Sequence, residues 1–429
     1  MTRHVTTGVS LAILLALGAA RAAADPLIGD AGAALSTAEG TLLNPANAGF
    51  VDHSLATFES KLVNSSSLSV RYPGFAAKND AGTKFLDIGV DSKPLFLWKP
   101  TAHLGIGGYF IPPVGLGLNI HKEHIPIVVF HQQNDVNLDA KGTLNGLGSF
   151  VAGYRFGNRF GIGLSLDYSS IGLDATVTPS DGGAPLATVT GSIMNTAVGL
   201  GLRFDPAPGR LEFGLVIGLV SISQTKLQVD SPLENAAGGD AGIDPAAGNS
   251  APTTLPLSSV LAGIKLSVRR MHLLADLAYT RVDKNQVGFS IVDLQNKTKD
   301  LHDTLGVRLG ATAKVTASTT ALFGARYEPA SLGPGSVGVD GTTGFGTMDL
   351  IMVYTGFSPL TPYWQAGGGV RMGFMPASTA HGGGHYYQLL VEVGLVYRQA
   401  SLGIDADGEQ PGAYLYKETS LPVGITYKF

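Results

Sequence analysis

Three histidines, His121, His124 and His131, share one stretch with Glu123 and Asp135. Imidazole and carboxylate are the usual donors to zinc, but tight sites set them at defined intervals. The intervals here match none of those, and polar loops commonly carry such residues, so no metal site is expected. His381 and His385 bracket three glycines, the composition of a flexible loop rather than a metal clip. Asp405-Ala406-Asp407-Gly408 reproduces a fragment of a calcium loop without the rest. The chain has no Gly-x-Ser-x-Gly elbow and no His-Glu-x-x-His helix. Its Gly-x-Gly pairs fall inside strand patterns, not at phosphate-cradling turns. No nucleophile, base or cofactor site emerges, and an enzyme is not expected.

The other charges of interest lie within alternating segments. Arg155, Arg159, Asp167, Arg203, Glu212, Arg308, Lys314, Arg326, Arg371, Glu392 and Arg398 are interleaved with apolar residues. Side chains of a strand alternate between faces, so these charges share a face opposite an apolar one. Mutual pairing in a solvated interior is one reading. An inward arginine holding a substrate carboxylate is the other, and the spacing does not choose between candidates.

The elements that position them are strands. The last ten residues place Leu421, Val423, Ile425, Tyr427 and Phe429 on one face and Ser420, Pro422, Gly424, Thr426 and Lys428 on the other. An aromatic terminal residue of this kind is what the outer-membrane barrel-assembly machinery reads. Phe150–Phe156 and Phe160–Tyr168 form a hairpin about Gly157-Asn158, the residue types that favour a tight turn. Similar alternation recurs in 194–219, 257–279, 304–327, 345–357, 362–374 and 387–398. Composition agrees: of 429 residues 58 are Gly, 14% are charged, and mean hydropathy is +0.20. Apolar content without a long apolar run fits strands that show lipid every second residue. The absence of cysteine suits export through an oxidising compartment. A formal charge of −4 argues against nucleic acid as a partner. Residues 1–24 read as an export signal, with Arg3 and His4 ahead of an apolar core and Ala22-Ala23-Ala24 at the cleavage site.

Three patches resemble the FadL/TodX family of outer-membrane transporters for hydrophobic compounds. The first is Gly32-Ala33-Ala34 followed by Gly40 to Asn44-Pro45-Ala46. The second is the Gly-x-Gly strand at 104–110 with Ile111-Pro112-Pro113-Val114-Gly115-Leu116-Gly117. The third is His302-Asp303-Thr304, Val307 to Ala311 and Ala325 to Ala330, with Glu328 where the family has Asp. The resemblance implies an all-β fold, a transmembrane antiparallel β-barrel of about 14 strands with an N-terminal plug. Residues 25–53 would form the hatch, carried by Asn44, Pro45 and Ala46. A kinked third strand would open a gap in the wall at Phe110, Pro112, Pro113 and Gly115. Residues 54–429 would be the barrel, with long outside loops at 119–147 and 230–256. Ile125, Ile127, Val128, Val129 and Phe130 would line a loop groove that first catches substrate.

The resemblance therefore implies an exported barrel in the bacterial outer membrane, among outer-membrane lipid and lipopolysaccharide. It implies passive uptake of hydrophobic molecules such as long-chain fatty acids or hydrocarbons. A general porin for small polar solutes is the alternative. A barrel enzyme would need a nucleophile and base at the rim, which the sequence lacks.

Overall fold

The computed structural model describes residues 26–429 apart from 73–74, 88–92, 112–113, 130–131, 180, 186, 231–252, 282–301, 330–362, 379–384 and 405–411. The strands, in chain order, are β1 (Leu55–Tyr72), β2 (Phe75–Asp87), β3 (Lys93–Trp98), β4 (Leu104–Ile111), β5 (Val114–Val129), β6 (Gln132–Phe156), β7 (Phe160–Pro179) and β8 (Ala187–Ala207). They continue as β9 (Leu211–Asp230), β10 (Thr253–Val268), β11 (Met271–Thr280), β12 (Thr304–Lys314), β13 (Thr319–Glu328), β14 (Tyr363–Ser378), β15 (His385–Ile404) and β16 (Gly412–Lys428).

All pairings are antiparallel, and β16 closes the sheet onto β1, with Leu55 opposite Lys428 and Arg71 opposite Ala413. Two wall positions are each filled by two segments. β1 pairs with β3 through Leu55–Glu59 and with β2 from Lys61 onward. β6 pairs with β4 through Leu147–Tyr154 and with β5 through Gln132–Leu144. The sixteen segments therefore make a closed barrel of 14 strand positions. Closure pairs the wall strands around the ring, as a lipid environment demands of a spanning sheet, apart from a local break between β2 and β5.

The burial pattern is the inverse of a water-soluble sheet. On β12, Thr304, Gly306 and Arg308 are buried, while Leu305, Val307 and Leu309 are 56%, 38% and 51% exposed. On β16, Gly424 and Thr426 are buried while Ile425, Tyr427 and Phe429 are exposed. Burying Arg while exposing Leu is costly in water and favourable in hydrocarbon. The wall is thus transmembrane, with its small and charged residues inside. Clusters of exposed aromatics mark the interfaces. Tyr154 meets Phe156 at 4.8 Å between ring centroids, Phe156 meets Phe160 at 5.9 Å, and Phe96 meets Phe429 at 5.9 Å.

Short turns at 99–103, 157–159, 208–210, 269–270 and 315–318 lie on one rim, together with the end of β16. Strand length separates the two ends of the barrel. A tilted strand crosses the hydrocarbon layer in about 9–11 residues. β6 has 25 residues and β7 and β9 have 20 each, so these strands run well past the layer on the side away from the short turns.

That extension corrects one expectation. The stretch 119–147 is not a long loop: its residues form β5 and β6, paired from Val114 opposite Leu144 to Val129 opposite Gln132. Ile125, Ile127, Val128 and Val129 are strand residues of this hairpin, and Phe130 lies outside the described residues. The physical reason is that β-branched residues gain a partner strand here, which backbone pairing supplies even beyond the lipid. The expected loop 230–256 lies outside the described residues except for its ends in β9 and β10. The signal at 1–24, the strand read at 345–357, His381 and the Asp405–Gly408 fragment lie outside them too.

Candidate functional site

The lumen at the level of the short turns is occupied by residues 26–51. The segment opens with a 3-10 turn, Pro26–Ile28, and then bends at Gly29 and Asp30, both left-handed with φ of 65° and 56°. Thr37 caps a short helix, α1 (Ala38–Leu43), by accepting from the Gly40 amide at 3.2 Å. Asn44 ends α1 and caps the next 3-10 turn, Pro45–Phe50, by accepting from the Ala46 amide at 3.1 Å. Pro45 sits where a helix start has no amide to satisfy. The Asn44 amide group donates to the carbonyls of Ala33 at 2.7 Å and of Leu202 on β8 at 3.0 Å. The Asn-Pro-Ala motif therefore folds the segment onto itself and fastens it to the wall.

The contacts place this segment inside the ring. Leu27 packs on Gly369 and Gly394 of β14 and β15, and Ile28 on Gly310 and Gly324 of β12 and β13. Ala33 meets Gly214 and Gly263 of β9 and β10, Asn44 meets Gly201 of β8, Pro45 meets Gly163 of β7, and Ala48 meets Gly105 of β4. A segment that touches nearly the whole circumference can only lie within it. The approach is backbone to backbone: a Cβ on Gly214 would sit 1.9 Å from the Ala33 carbonyl oxygen. One on Gly324 would sit 1.9 Å from the Gly29 nitrogen. Glycine at alternate inward positions thus creates the room the segment occupies.

Polar anchors complete the attachment. Asp276 of β11, 1% exposed, accepts from the amides of Gly32 and Ala33 at 2.8 and 3.0 Å through one carboxylate oxygen. Arg326 of β13 reaches Asp30 at 2.8 Å. Arg203 of β8 is held by Asp205 at 2.9 Å and by Glu212 at 2.6 Å. It also donates to Ser36 and, at 3.2 Å, to Asn47, and it stacks over the Phe50 ring at 4.2 Å. Lys265 of β10 braces Glu212 at 2.8 Å.

Other charges expected on the lumen face also form pairs. Glu328 joins Arg308 at 3.1 Å and Arg326 at 2.7 Å. Arg371 pairs with Glu392 across β14 and β15. Glu418 of β16 accepts a hydrogen bond from Lys61 at 2.5 Å and forms an ion pair with Arg398 at 3.7 Å. Asp167 accepts from Ser165 at 3.3 Å. Arg155 donates to the Ala102 carbonyl at 3.1 Å and lies over Phe50 at 5.6 Å. Two residues correct the expectation. Arg159 and Lys314 have the parity of the inward face but stand exposed on the short-turn rim, because each strand ends there.

Residue reasoning missed Asp276, Asp30 and Lys99. Each matters only because the segment folds back against it, and none carries a local pattern. Lys99, in the turn between β3 and β4, donates to the Gly49 carbonyl at 2.9 Å and to Ala48 at 3.5 Å. Burial, then repulsion from Arg155, lowers its pKa to about 8 against the opposing effect of Asp52. The unfolded chain thus binds more protons than the fold between about 8 and the ordinary lysine value near 10.4. Stability should rise across that window, with the penalty complete below it. The Lys99 amine should also acylate faster at pH 8 than an ordinary lysine, by about tenfold or more. Mass-spectrometric mapping of a labelled barrel over pH 7–10 checks this, and labelling that keeps climbing to the ordinary lysine range would sink it.

Of the residues expected at a wall gap, Phe110 is the last but one residue of β4, with a side chain 60% exposed. Gly115 lies on β5, and Pro112 and Pro113 lie outside the described residues. The pairing around them is distinctive. β4 pairs with β3 from Ile106 opposite Trp98 to Tyr109 opposite Leu95. Above that level, among the described residues, β2 is hydrogen-bonded only to β1 and β5 only to β6. Two strand edges thus go without a mutual ladder in the second and third wall positions.

Fold and site together define a transmembrane barrel with an internal N-terminal segment. Comparison with solved structures gives the same architecture. A Pseudomonas aeruginosa FadL homologue superposes at a TM-score of 0.55 with 12% identity, covering 96% of this chain and 98% of that chain. The Ralstonia pickettii toluene transporter TbuX superposes at 0.54 with 12% identity, covering 94% and 96%. The P. putida toluene transporter TodX does so at 0.52 with 11% identity, covering 95% and 99%. The chain therefore has the FadL/TodX-like fold over nearly its whole length. No family model and no curated protein sequence matches it.

Proposed function

We propose that the protein is an outer-membrane channel for the passive uptake of hydrophobic molecules, long-chain fatty acids or hydrocarbons being the substrate class. The observation that carries this reading is the filled lumen. Residues 26–51 pack backbone to backbone against glycines of β4, β6–β9, β12 and β13, across the path an open aqueous pore would take. A porin for polar solutes needs such a pore. A hydrophobic solute has another way out, sideways into the membrane. The unpaired edges of β2 and β5, beside Pro112 and Pro113, support a lateral opening there. Two prolines remove two ladder donors, which favours a break in pairing. The fold shared with the toluene transporters TbuX and TodX supports the same substrate class. The hatch is then residues 25–53, and Asn44, Pro45 and Ala46 hold it. The β5–β6 hairpin, with Ile125, Ile127, Val128 and Val129, extends away from the short turns and would present the first apolar surface to substrate.

The test combines mass spectrometry of small molecules that co-purify with the detergent-solubilised barrel and single-channel recording. Bound apolar molecules with little conductance are the expected result. Steady conductance without bound molecules would establish a polar porin instead. Replacing Pro112 and Pro113 with valine should slow uptake of a labelled hydrophobic substrate, and unchanged uptake would remove the lateral opening.

A further inference from the structure

The short-turn rim carries a one-sided charge that the transport reading does not use. Arg159 stands in the β6–β7 turn, Arg210 in the β8–β9 turn, Arg269 and Arg270 in the β10–β11 turn, and Lys314 at the β12–β13 turn. All five side chains are exposed, and among the described residues none makes an ion pair. They occupy four consecutive turns. Strands lie about 4.8 Å apart, so neighbouring turns on this rim are about 10 Å apart. No opposing charge dilutes them: residues 155–161, 266–273 and 312–320 contain no Asp or Glu. Asp205 and Glu212 fall beside Arg210, but each is 3% exposed and bonded to Arg203. The chain as a whole is acidic, at −4. The basic arc is therefore a local arrangement and not a reflection of overall composition.

The depth of these cations selects the partner. Each stands directly beside, or between, apolar side chains that face outward. Val268 and Met271, 50% and 46% exposed, flank Arg269 and Arg270. Phe160 at 41% adjoins Arg159, and Val315 at 58% adjoins Lys314. The aromatic cluster of Tyr154, Phe156 and Phe160 lies at the same level. Aromatic belts sit at the head-group level of a bilayer, and long basic side chains just beyond them reach the phosphates. Arg269 also takes a left-handed φ of 55° at a turn position that Asn or Gly would fill with less strain.

We infer that this arc of the rim binds anionic glycerophospholipid, its guanidinium and ammonium groups engaging the phosphodiester head groups of the adjoining leaflet. Lipid is favoured over a soluble acidic protein because the leaflet already surrounds the barrel at this depth. The phosphates are within side-chain reach without any docking step. The arc runs from β6, which pairs with β5, round to β13, so it would fix the barrel's seating from beside the β2–β5 seam to the far side of the wall.

Electron paramagnetic resonance of the full barrel in phosphatidylcholine bilayers tests this, with trace spin-labelled phosphatidylglycerol or spin-labelled phosphatidylcholine as probes. The wild type is expected to immobilise the anionic probe several-fold more than the zwitterionic one. The excess should vanish when Arg159, Arg210, Arg269, Arg270 and Lys314 are all replaced by Gln, and it should shrink with added salt in the wild type. The salt series needs no variant, so it stands even if the fivefold variant fails to insert; the Arg269→Gln, Arg270→Gln pair alone should remove much of the excess. Equal immobilisation of the two probes by wild type overturns the inference, as does an undiminished preference in the variant. Salt-sensitive binding of polyglutamate without any lipid preference would assign the arc to an acidic soluble partner and likewise overturn it.

Discussion

Replacing Gly214 with valine is expected to drive the N-terminal segment out of the barrel while leaving the wall standing. The inward Cβ would meet the Ala33 carbonyl oxygen at 1.9 Å and its carbon at 2.3 Å. Both are backbone atoms, so no rotamer change relieves the overlap. Overpacking commonly costs about 1–3 kcal/mol, and a rigid backbone contact belongs at the upper end. Because 1.4 kcal/mol is a factor of ten, the docked segment loses about 10- to 100-fold in population. Gly324→Val should act similarly from β13, four strand positions round the wall, where the added atom meets the Ile28 carbonyl carbon and the Gly29 nitrogen at 1.9 Å. The wall survives because its lipid-facing side chains and its ladder are untouched. Single-channel conductance should rise, and a cysteine placed in the segment should become reactive from the short-turn side. Leu309→Val, which changes an outward side chain, should do neither. A Gly214→Val barrel with wild-type conductance and a protected segment would show that the segment does not close the lumen.

Replacing Arg203 with methionine is expected to destabilise the folded barrel by about 3–5 kcal/mol, the usual cost of stranding buried charge. Arg203 is 3% exposed and satisfies Asp205 and Glu212, each equally buried. Its removal leaves Asp205 without its cation, while Glu212 keeps Lys265. The hydrogen bonds to Ser36 and Asn47 and the stacking on Phe50 go with it. Lysine at this position keeps a charge but not the fork that serves two carboxylates at once, so Arg203→Lys should fall between. Adding Asp205→Asn to the methionine variant should recover most of the loss, since the one stranded carboxylate accounts for it while Glu212 stays paired with Lys265. Thermal unfolding followed by heat-dependent mobility on gels gives the comparison. A neutral Arg203→Met, or a double variant no better than the single, would mean that the network contributes little.

The two variants probe different bonds between the same partners. Gly214 contributes space and Arg203 contributes charge, and the segment depends on both because it has no apolar core of its own. Its Ala, Gly and Asn residues are buried against the wall: Ala31, Ala33, Asn44, Ala46, Asn47 and Ala48 are each 0% exposed. Small side chains bury little area apiece, so close approach and buried hydrogen bonds join the apolar contacts of Leu27, Ile28 and Leu35 with Leu274, Leu322 and Val396 in carrying the attachment.

The sequence by itself determined the wall. A period of two with Leu, Val and Phe on one parity and Gly, Thr and Arg on the other specifies a sheet that is apolar outside and polar inside, and that information is local to each strand. It also determined the hairpin at Gly157-Asn158, since turn chemistry is written in adjacent residues. The Asn-Pro-Ala motif was legible as a special feature of the N-terminal segment. Only the tertiary structure decided where that segment lies and what holds it. Asp276 follows Gly32 by 244 positions and Arg326 follows Asp30 by 296, and no periodicity relates residues brought together by closing a barrel. The same reason explains the stretch 119–147: polar and apolar residues mixed there without alternation, and strand structure came from the partner rather than from the segment. Arg159 and Lys314 had the parity of lumen residues, yet they reach water because the wall ends beside them. Parity is set along a strand; where a strand stops, and what then surrounds its last side chain, is set by the fold.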